Sequence, residues 1–396
     1  MRSNKVLFPF LILFLVADCG GGSRSSSGSS PSLTVTGDNA LSLTVNGSNC
    51  SSNPYINEPC VSVTVCSPDN SACQTIKGIL LDTGDIGLRL FKQVLKVPLT
   101  PVTNGTDTIA ECVQYADGSL NWGPVETANV ILGNEATVQP IPIQVIDSNF
   151  AAGQTVCQNP NRDPGSSGFN GSLGVGFYLQ DCGSACASST GLGQYYSCGS
   201  GCVETTVAVN NQVQNPVALL PHDNNGVVVE LPSLPSSGAF SANGALVLGI
   251  GTQPNNTPSG VNTYDVDQFG DFTTLFNGFH YGGFIDSGSN GLFFTPSPPS
   301  LLPICHSDWY CPSSTKTFTA TNIGASGSPS GSVSFNIANF DSLLNSSNNV
   351  SADIGGPVGP TPDLFDWGLP FFFGRKVYIG VENRISGLGT GPYWAY

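Results

Sequence analysis

Two similar stretches of the chain are the most informative about its fold. They are Leu80-Leu81-Asp82-Thr83-Gly84 and Phe284-Ile285-Asp286-Ser287-Gly288. Two apolar residues precede each Asp, which places the carboxylate at the end of a buried strand, and the Gly permits a sharp turn after it. Asp-Ser/Thr-Gly alone is also ordinary turn chemistry, in which the side chain bonds its own backbone. Two copies, one in each half of the chain and each behind an apolar strand, favour a site built from both carboxylates.

The composition predicts an all-β protein. The chain has 396 residues with 48 Gly and 29 Pro, and charged residues make up only 10%. Strong helix formers are scarce, which excludes a helical bundle and argues against a doubly wound α/β fold. The apolar content of 39% argues against disorder. The net charge of −15 argues against nucleic acid as a partner, because a phosphate backbone attracts a basic face.

Strand signals of two kinds support the all-β prediction. Alternating apolar and polar residues predict half-exposed strands at 41–45, 61–65 and 333–337. Continuous apolar runs predict buried strands at 79–81, 227–229 and 371–373.

The first residues are typical of an export signal. Arg2 and Lys5 precede an apolar run that ends at Ala17 and is too short to span a bilayer, so residues 1–18 are predicted to be a signal peptide. Val16-Ala17-Asp18-Cys19 resembles a bacterial lipobox, in which the Cys is lipidated, and residues 19–32 form a Gly/Ser-rich tether. We expect an exported protein anchored to the bacterial outer membrane through Cys19, with a plain signal peptide as the alternative.

Export also accounts for the cysteines. Of 13 cysteines, 12 remain after Cys19, an even number that favours six disulfides in an oxidising compartment. A Cys-rich insertion is predicted at 177–225, where Cys182/Cys186 and Cys198/Cys202 have metal-like spacing, so zinc is the alternative there. The lack of neighbouring His ligands favours disulfides, whose pairing the sequence leaves open.

Several further stretches occur in a consistent order along the chain. They are Val113 to Ser119, Gly171 to Gly176, Gly244 to Gly249, and Leu369 to Arg375 followed by Val377 to Ile379. Together with the two triplets, this set resembles the pepsin-like aspartic proteases. The chain most resembles a bacterial lipoprotein family of uncharacterised function that carries two D-[ST]-G motifs. The resemblance implies two β lobes, at 33–240, which contains the insertion, and at 241–396.

The resemblance also implies roles for individual residues. Asp82 and Asp286 would share one proton and activate a water molecule that attacks a peptide bond. The supporting residues implied are Thr83, Gly84, Asp85, Ser287, Gly288 and Ser289, and the residues of a flap hairpin over the site are Tyr115, Gly118 and Ser119. This chemistry requires no metal and no cofactor. The partner implied is a polypeptide substrate or ligand bound to a monomer.

Asp85 stands where the family usually has Ser or Thr. It either points inward, adding a third negative charge to the pair, or outward, towards solvent or Arg89. We expect Asp85→Ser to raise activity near neutral pH. Two functions follow: a cell-envelope aspartic endopeptidase, or a catalytically inactive lipoprotein that binds a peptide or glycan between the lobes. A disulfide-stapled structural protein of the envelope is a third hypothesis.

Overall fold

The computed structural model describes residues 30–51, 54–305, 309–359 and 361–396. The predicted signal peptide, the lipidation site Cys19 and most of the tether lie outside the described residues. Strands hold 42% of the residues and helices 9%, which confirms the all-β prediction.

Twenty-nine strands occur in the described ranges, most of them short. The first sixteen are β1 (Ala40–Val45), β2 (Pro59–Cys66), β3 (Cys73–Asp82), β4 (Ile86–Phe91), β5 (Thr100–Pro101), β6 (Thr103–Asn104), β7 (Asp107–Gln114), β8 (Leu120–Leu132), β9 (Glu135–Ala136), β10 (Ile141–Ile146), β11 (Gly171–Val175), β12 (Tyr195–Cys198), β13 (Cys202–Glu204), β14 (Gly226–Glu230), β15 (Ala242–Leu248) and β16 (Thr263–Asp265). The others are β17 (Phe272–Phe276), β18 (Phe279–Ile285), β19 (Leu292–Phe294), β20 (Ile304–Cys305), β21 (Trp309–Tyr310), β22 (Lys316–Ile323), β23 (Ser330–Ile337), β24 (Gly355–Gly356), β25 (Leu364–Trp367), β26 (Lys376–Gly380), β27 (Ile385–Ser386), β28 (Gly389–Thr390) and β29 (Tyr393–Ala395).

Helices are few and short. The α-helices are α1 (Pro164–Ser167), α2 (Ser184–Ser188) and α3 (Phe340–Leu344). The 3₁₀ turns are Lys92–Val94, Val209–Asn211, Val217–Leu219, Pro254–Asn256, Pro299–Leu301 and Leu369–Phe372. The abundance of Gly and Pro between apolar runs accounts for this, because both residues end helices.

Most strands belong to two sheets. The large sheet joins β1 to β16 with β26 and β29, and the second sheet has the order β23-β22-β17-β18-β25-β19-β24. The large sheet therefore takes strands from both ends of the chain: β15 pairs with β1, and β26 pairs with β14. The core of the second sheet is aromatic, with the rings of Phe294 and Phe365 stacked 4.6 Å apart.

The same three-strand arrangement occurs once in each sheet. In the large sheet, β3 ends at Asp82, and β11 lies between β3 and β4, parallel to the first with Gly174 opposite Asp82 and antiparallel to the second. In the second sheet, β18 ends one residue before Asp286, and β25 runs parallel to β18 and antiparallel to β19. Each Asp thus lies at the end of an internal strand of its sheet: Asp82 is the last residue of β3, and Asp286 directly follows β18.

Five of the six predicted strand runs lie in strands, and the buried strand predicted at 371–373 is wrong. Residues Leu369–Phe372 form a buried 3₁₀ turn, because Pro370 has no N–H to donate to a sheet ladder. The strand beside β18 is β25 instead, followed by Gly368. A Cβ on Gly368 would lie 2.0 Å from the carbonyl oxygen of Gly291, so only glycine fits there.

Six disulfides confirm the expectation from the cysteine count. They are Cys50–Cys60, Cys66–Cys73, Cys112–Cys157, Cys182–Cys186, Cys198–Cys202 and Cys305–Cys311. The zinc alternative at 177–225 is wrong, because both pairs with metal-like spacing are disulfide-bonded. That insertion carries α2, β12 and β13, and β12 pairs with β7 of the large sheet.

Candidate active site

Asp82 and Asp286 lie side by side, and their carboxyl groups are within hydrogen-bonding reach of each other. Each triplet's Gly packs against the carboxyl group of the other triplet. A Cβ on Gly84 would lie 2.8 Å from Cγ of Asp286, and one on Gly288 would lie 2.6 Å from Cγ of Asp82. The two turns can approach this closely only because both positions lack a side chain.

The second residues of the two triplets join the sheets by reciprocal hydrogen bonds. Thr83 Oγ1 donates to the carbonyl oxygen of Ile285 at 3.0 Å and accepts from the N–H of Ser287 at 2.9 Å. Ser287 Oγ donates to the carbonyl oxygen of Leu81 at 2.7 Å and accepts from the N–H of Thr83 at 3.0 Å. Both hydroxyls are buried, so these four bonds fix the relative position of the two Asp side chains.

The two carboxyl groups differ in burial. Asp82 is 8% exposed, whereas Asp286 is half-buried. Burial raises the pKa of Asp82 well above its usual range, and the nearby charges of Asp286 and Asp85 raise it further. A proton on Asp82 would relieve the repulsion between the two adjacent carboxylates.

The hydrogen-bond donors around the pair favour charge on Asp286. Its Oδ1 accepts from the N–H of Gly288 at 2.8 Å, and its Oδ2 accepts from the hydroxyl of Ser289 at 2.9 Å. Asp82 Oδ1 accepts from the N–H of Gly84 at 2.9 Å. Two donors stabilise a carboxylate more than one does, so the negative charge is better placed on Asp286.

Asp85 occupies the position in the first turn that Ser289 occupies in the second, and it points towards Arg89. Its Oδ2 lies 2.8 Å from Arg89 Nη1 and accepts from the hydroxyl of Tyr115 at 3.4 Å. Its Oδ1 accepts from the N–H of Ile86 at 2.7 Å. Burial raises the pKa of Asp85, and the positive charge of Arg89 opposes that rise. Of the two orientations considered above, the structure has the outward one.

The predicted flap residues lie at the tip of the hairpin between β7 and β8. Gly118, with φ of 83°, donates its N–H to the carbonyl oxygen of Tyr115, whose own N–H donates to Ser119. The Tyr115 hydroxyl points back towards Asp85 and accepts from Asn121 Nδ2 at 3.0 Å. The hairpin tip therefore contacts the turn after Asp82 through the Tyr115 hydroxyl and Asp85.

A buried charge network beneath Asp85 was missed by the sequence analysis. Arg89 has 1% of its side chain exposed and binds three carboxylates, those of Asp85, Glu111 and Asp181. Burial alone would lower the pKa of Arg89, but these carboxylates raise it. Burial and the neighbouring Glu111 raise the pKa of Asp181 well above its usual range. The sequence feature that could have indicated this network is a charged residue inside an apolar strand, as at Arg89 and Glu111.

The sequence analysis also missed the loop before β2, which is hydrogen-bonded to residues near the second triplet. Asn57 Nδ2 donates to the carbonyl oxygens of Asn290 and Ser351 at 2.9 and 2.8 Å, and its Oδ1 accepts from the N–H of Ser351 at 2.8 Å. Burial and the charge of Glu58 raise the pKa of the hydroxyl of Tyr55 on the same loop, and the charges of Asp82 and Asp286 add to this rise.

Two groups of possible metal ligands occur in the described part of the chain, and both include a disulfide. They are Cys50, Glu58 and Cys60, and Cys305, Cys311 and Asp341. The disulfides remove the thiolates that a metal would need in these groups. Within the described ranges, no helix has the length and apolar character needed to cross a bilayer.

A family model described as "Protein of unknown function (DUF3443)" matches residues 35–396, nearly the whole chain. The expectation of a family of uncharacterised function agrees with this match. The family description names no fold and no activity, so the likeness to aspartic proteases stays a prediction. No curated protein matches the chain.

Proposed function

The chain belongs to this family of unknown function, and we propose that it is an aspartic-type endopeptidase of the cell envelope. The observation that carries the proposal is the close approach of the Asp82 and Asp286 carboxyl groups, held by the reciprocal bonds of Thr83 and Ser287. Turn chemistry alone does not account for it, because a turn needs neither the second carboxyl group nor hydrogen bonds from a distant turn.

In the proposed reaction, a water molecule binds between the two carboxyl groups. Asp286, the charged partner, takes a proton from the water, whose oxygen attacks the carbonyl carbon of the peptide bond. Asp82 donates its proton to the carbonyl oxygen, which gives a neutral tetrahedral intermediate. Asp286 then donates its proton to the nitrogen, and Asp82 takes a proton from a hydroxyl of the intermediate as the C–N bond breaks. This releases an amine and a carboxylic acid and leaves the pair singly protonated again, with the proton on Asp82.

The proposed architecture is the bilobal one of the pepsin-like enzymes, with lobes at 33–240 and 241–396 and a polypeptide bound between them. The matching three-strand arrangement in the two sheets supports it. The hairpin that carries Tyr115 supports it as well, because the Tyr115 hydroxyl contacts Asp85, three residues after Asp82, and a flap at this place would shield a bound peptide from water.

The proposal is tested by cleavage of a reduced, alkylated protein between about pH 3 and 7, with and without a statine-type inhibitor. We expect cleavage by the wild type and a loss of at least about a hundredfold in Asp82→Asn and Asp286→Asn. Asp265→Asn, at a distant carboxylate on β16, is the matched control and should keep full activity. A folded wild type that cleaves nothing over this range would exclude the endopeptidase.

Binding without catalysis is the second candidate, and Asp85 is the observation that favours it. Because Asp85 is engaged with Arg89, the first turn lacks the hydroxyl donor that Ser289 gives the second. A catalytically inactive protein would still hold a peptide or glycan between the lobes. Such a protein should bind an unfolded peptide or a glycan equally well with Asp82 or Asp286 replaced by Asn.

We also propose that Cys19 carries a lipid that anchors the protein to the bacterial outer membrane. The support is the sequence pattern around Cys19 and the even number of cysteines that remain, all of which are disulfide-bonded. The expressed wild type should partition into detergent and Cys19→Ser into water. Equal partitioning of the two proteins into water would exclude the anchor.

A further inference from the structure

The disulfide-stapled insertion at 177–225 reaches the carboxyl pair through a continuous set of buried contacts. It contributes Asp181, whose Oδ2 lies 3.1 Å from Arg89 Nη2. Arg89 Nη1 in turn contacts Asp85 at 2.8 Å, and Asp85 accepts a hydrogen bond from the hydroxyl of Tyr115 at the hairpin tip. Four residues thus connect the insertion to the hairpin.

Asp181 is itself fixed from within the insertion. The Tyr195 hydroxyl donates to Asp181 Oδ1 at 2.7 Å and accepts from the N–H of Val213 at 2.8 Å. Both Asp181 and Tyr195 are buried, with 4% of the Asp181 side chain exposed. A buried carboxylate with defined donors on both oxygens has little freedom to move, so it is a rigid anchor for Arg89.

The insertion also binds the base of the hairpin directly. β12 pairs antiparallel with β7, with Tyr195 opposite Glu111, and the N–H of Cys112 donates to the carbonyl oxygen of Gln194 at 2.8 Å. Gln194 Nε2 donates to Glu111 Oε1 at 3.2 Å, the same oxygen that accepts from Arg89. The hairpin is therefore held at its base by a sheet ladder and at its tip by Asp85.

We propose that Asp181 and Arg89 are positioning residues through which the insertion holds the Tyr115 hairpin closed over the carboxyl pair. The proposal deepens the proposed function, since it assigns the hairpin a fixed position over the substrate. It requires three carboxylates around one guanidinium, and the hydrogen bonds that Tyr195 donates to Asp181 and Gln194 donates to Glu111 offset part of this excess of negative charge. The insertion then sets how tightly substrate is enclosed.

The test is hydrogen–deuterium exchange of the mature full chain, followed over residues 113–121 in Asp181→Asn and Asp181→Ala. Asn keeps the volume of the Asp181 side chain but offers an acceptor oxygen to only one of the two donors, Tyr195 or Arg89. Ala removes the contacts with both donors. We expect hairpin amides to exchange several-fold faster in the Asn variant and about tenfold faster in the Ala variant. Glu230→Gln and Glu230→Ala are matched controls, because Glu230 is a buried carboxylate with one cationic partner, Lys376, elsewhere in the large sheet.

A kinetic measurement distinguishes positioning from general loss of structure. We expect the two Asp181 variants to raise KM several-fold with kcat changed by less than about twofold, whereas partial unfolding would lower kcat at constant KM. If Asp181→Ala does not fold, Tyr195→Phe, which removes the hydroxyl that holds Asp181, replaces it. Unchanged hairpin exchange in folded variants, or faster exchange across the whole large sheet, would overturn the proposal. The exchange result stands even if the wild type proves inactive.

Discussion

The turn after Asp82 and the turn after Asp286 share one backbone plan and differ in their fourth residue. In the second turn, Ser289 donates a hydroxyl hydrogen bond to Asp286 at 2.9 Å. In the first turn, Asp85 has no proton to donate when charged, and it pairs with Arg89 at 2.8 Å. Ser289 thus stabilises the carboxylate of Asp286, whereas a charged Asp85 repels the carboxylate of Asp82.

This difference makes the pair unequal although the two turns are alike. Negative charge on Asp85 is one cause of the raised pKa of Asp82, after burial and the charge of Asp286. The proton is therefore better held by Asp82 and the charge by Asp286. In the proposed reaction, a symmetric frame with one asymmetric residue would separate the acid from the base, which two carboxyl groups in the same environment could not do.

The largest expected effect comes from removing what the two turns have in common. Thr83→Val and Ser287→Ala each delete a buried hydroxyl that makes two hydrogen bonds and leave buried backbone partners unsatisfied. We expect each to lower the free energy of unfolding by about 2 to 4 kcal/mol, measured by urea denaturation. The double variant should lose less than the sum, because both residues hold the same contact between the sheets.

Thr64→Val is the control for these variants. The Thr64 hydroxyl is exposed and bonds Thr75 Oγ1 at 2.7 Å on neighbouring strands, so its loss should cost less than about 1 kcal/mol. Equal costs at Thr64, Thr83 and Ser287 would show that the bonds between the triplets have no special importance.

A smaller effect is expected from making the second turn resemble the first. Ser289→Ala removes the donor to Asp286 and should lower peptide cleavage about tenfold. Ser289→Asp also adds a negative charge beside Asp286, so that the proton is no longer confined to Asp82, and should lower cleavage about a hundredfold. The order wild type, Ala, Asp in a cleavage assay checks this. Equal activity of all three would remove Ser289 from the site.

The smallest expected effect comes from making the first turn resemble the second. Asp85→Ser removes a charge that raises the pKa of Asp82 and supplies a hydroxyl donor to its carboxylate, so that pKa falls. The carboxyl pair then loses its last proton at a lower pH. The alkaline limb of the pH–activity profile should therefore shift to lower pH by about one unit. This sign is opposite to the expectation from sequence, in which Asp85→Ser raises activity near neutral pH.

Asp85→Asn is the companion variant for that measurement. Its side chain carries no charge and can still accept a hydrogen bond from Arg89, so the network beneath it keeps a partner. We expect its alkaline limb to move in the same direction by a smaller amount. A limb that moves to higher pH in both variants would contradict the assignment of the proton to Asp82.

The sequence predicted the symmetric part of the site well and the asymmetric part poorly. Two triplets behind apolar strands predicted the meeting of Asp82 and Asp286, because strand ends and Gly turns are local features. The sequence suggested Arg89 as a partner of Asp85 but not the rest of its network, because that needs the pairing of β7 with β12, which brings Glu111 near Asp181. The error at 371–373 was avoidable, since Pro370 alone argues against an internal strand.

We propose that Asp82 and Asp286 share one proton, held mainly on Asp82. Carbon-13 NMR of labelled Asp carboxyl carbons through a pH titration tests it most directly, with Asp82→Asn and Asp286→Asn to assign the two signals. We predict two coupled steps, the upper one well above the usual range of Asp and seen mainly at Asp82. Two independent titrations near the ordinary Asp pKa of about 4 would contradict the account.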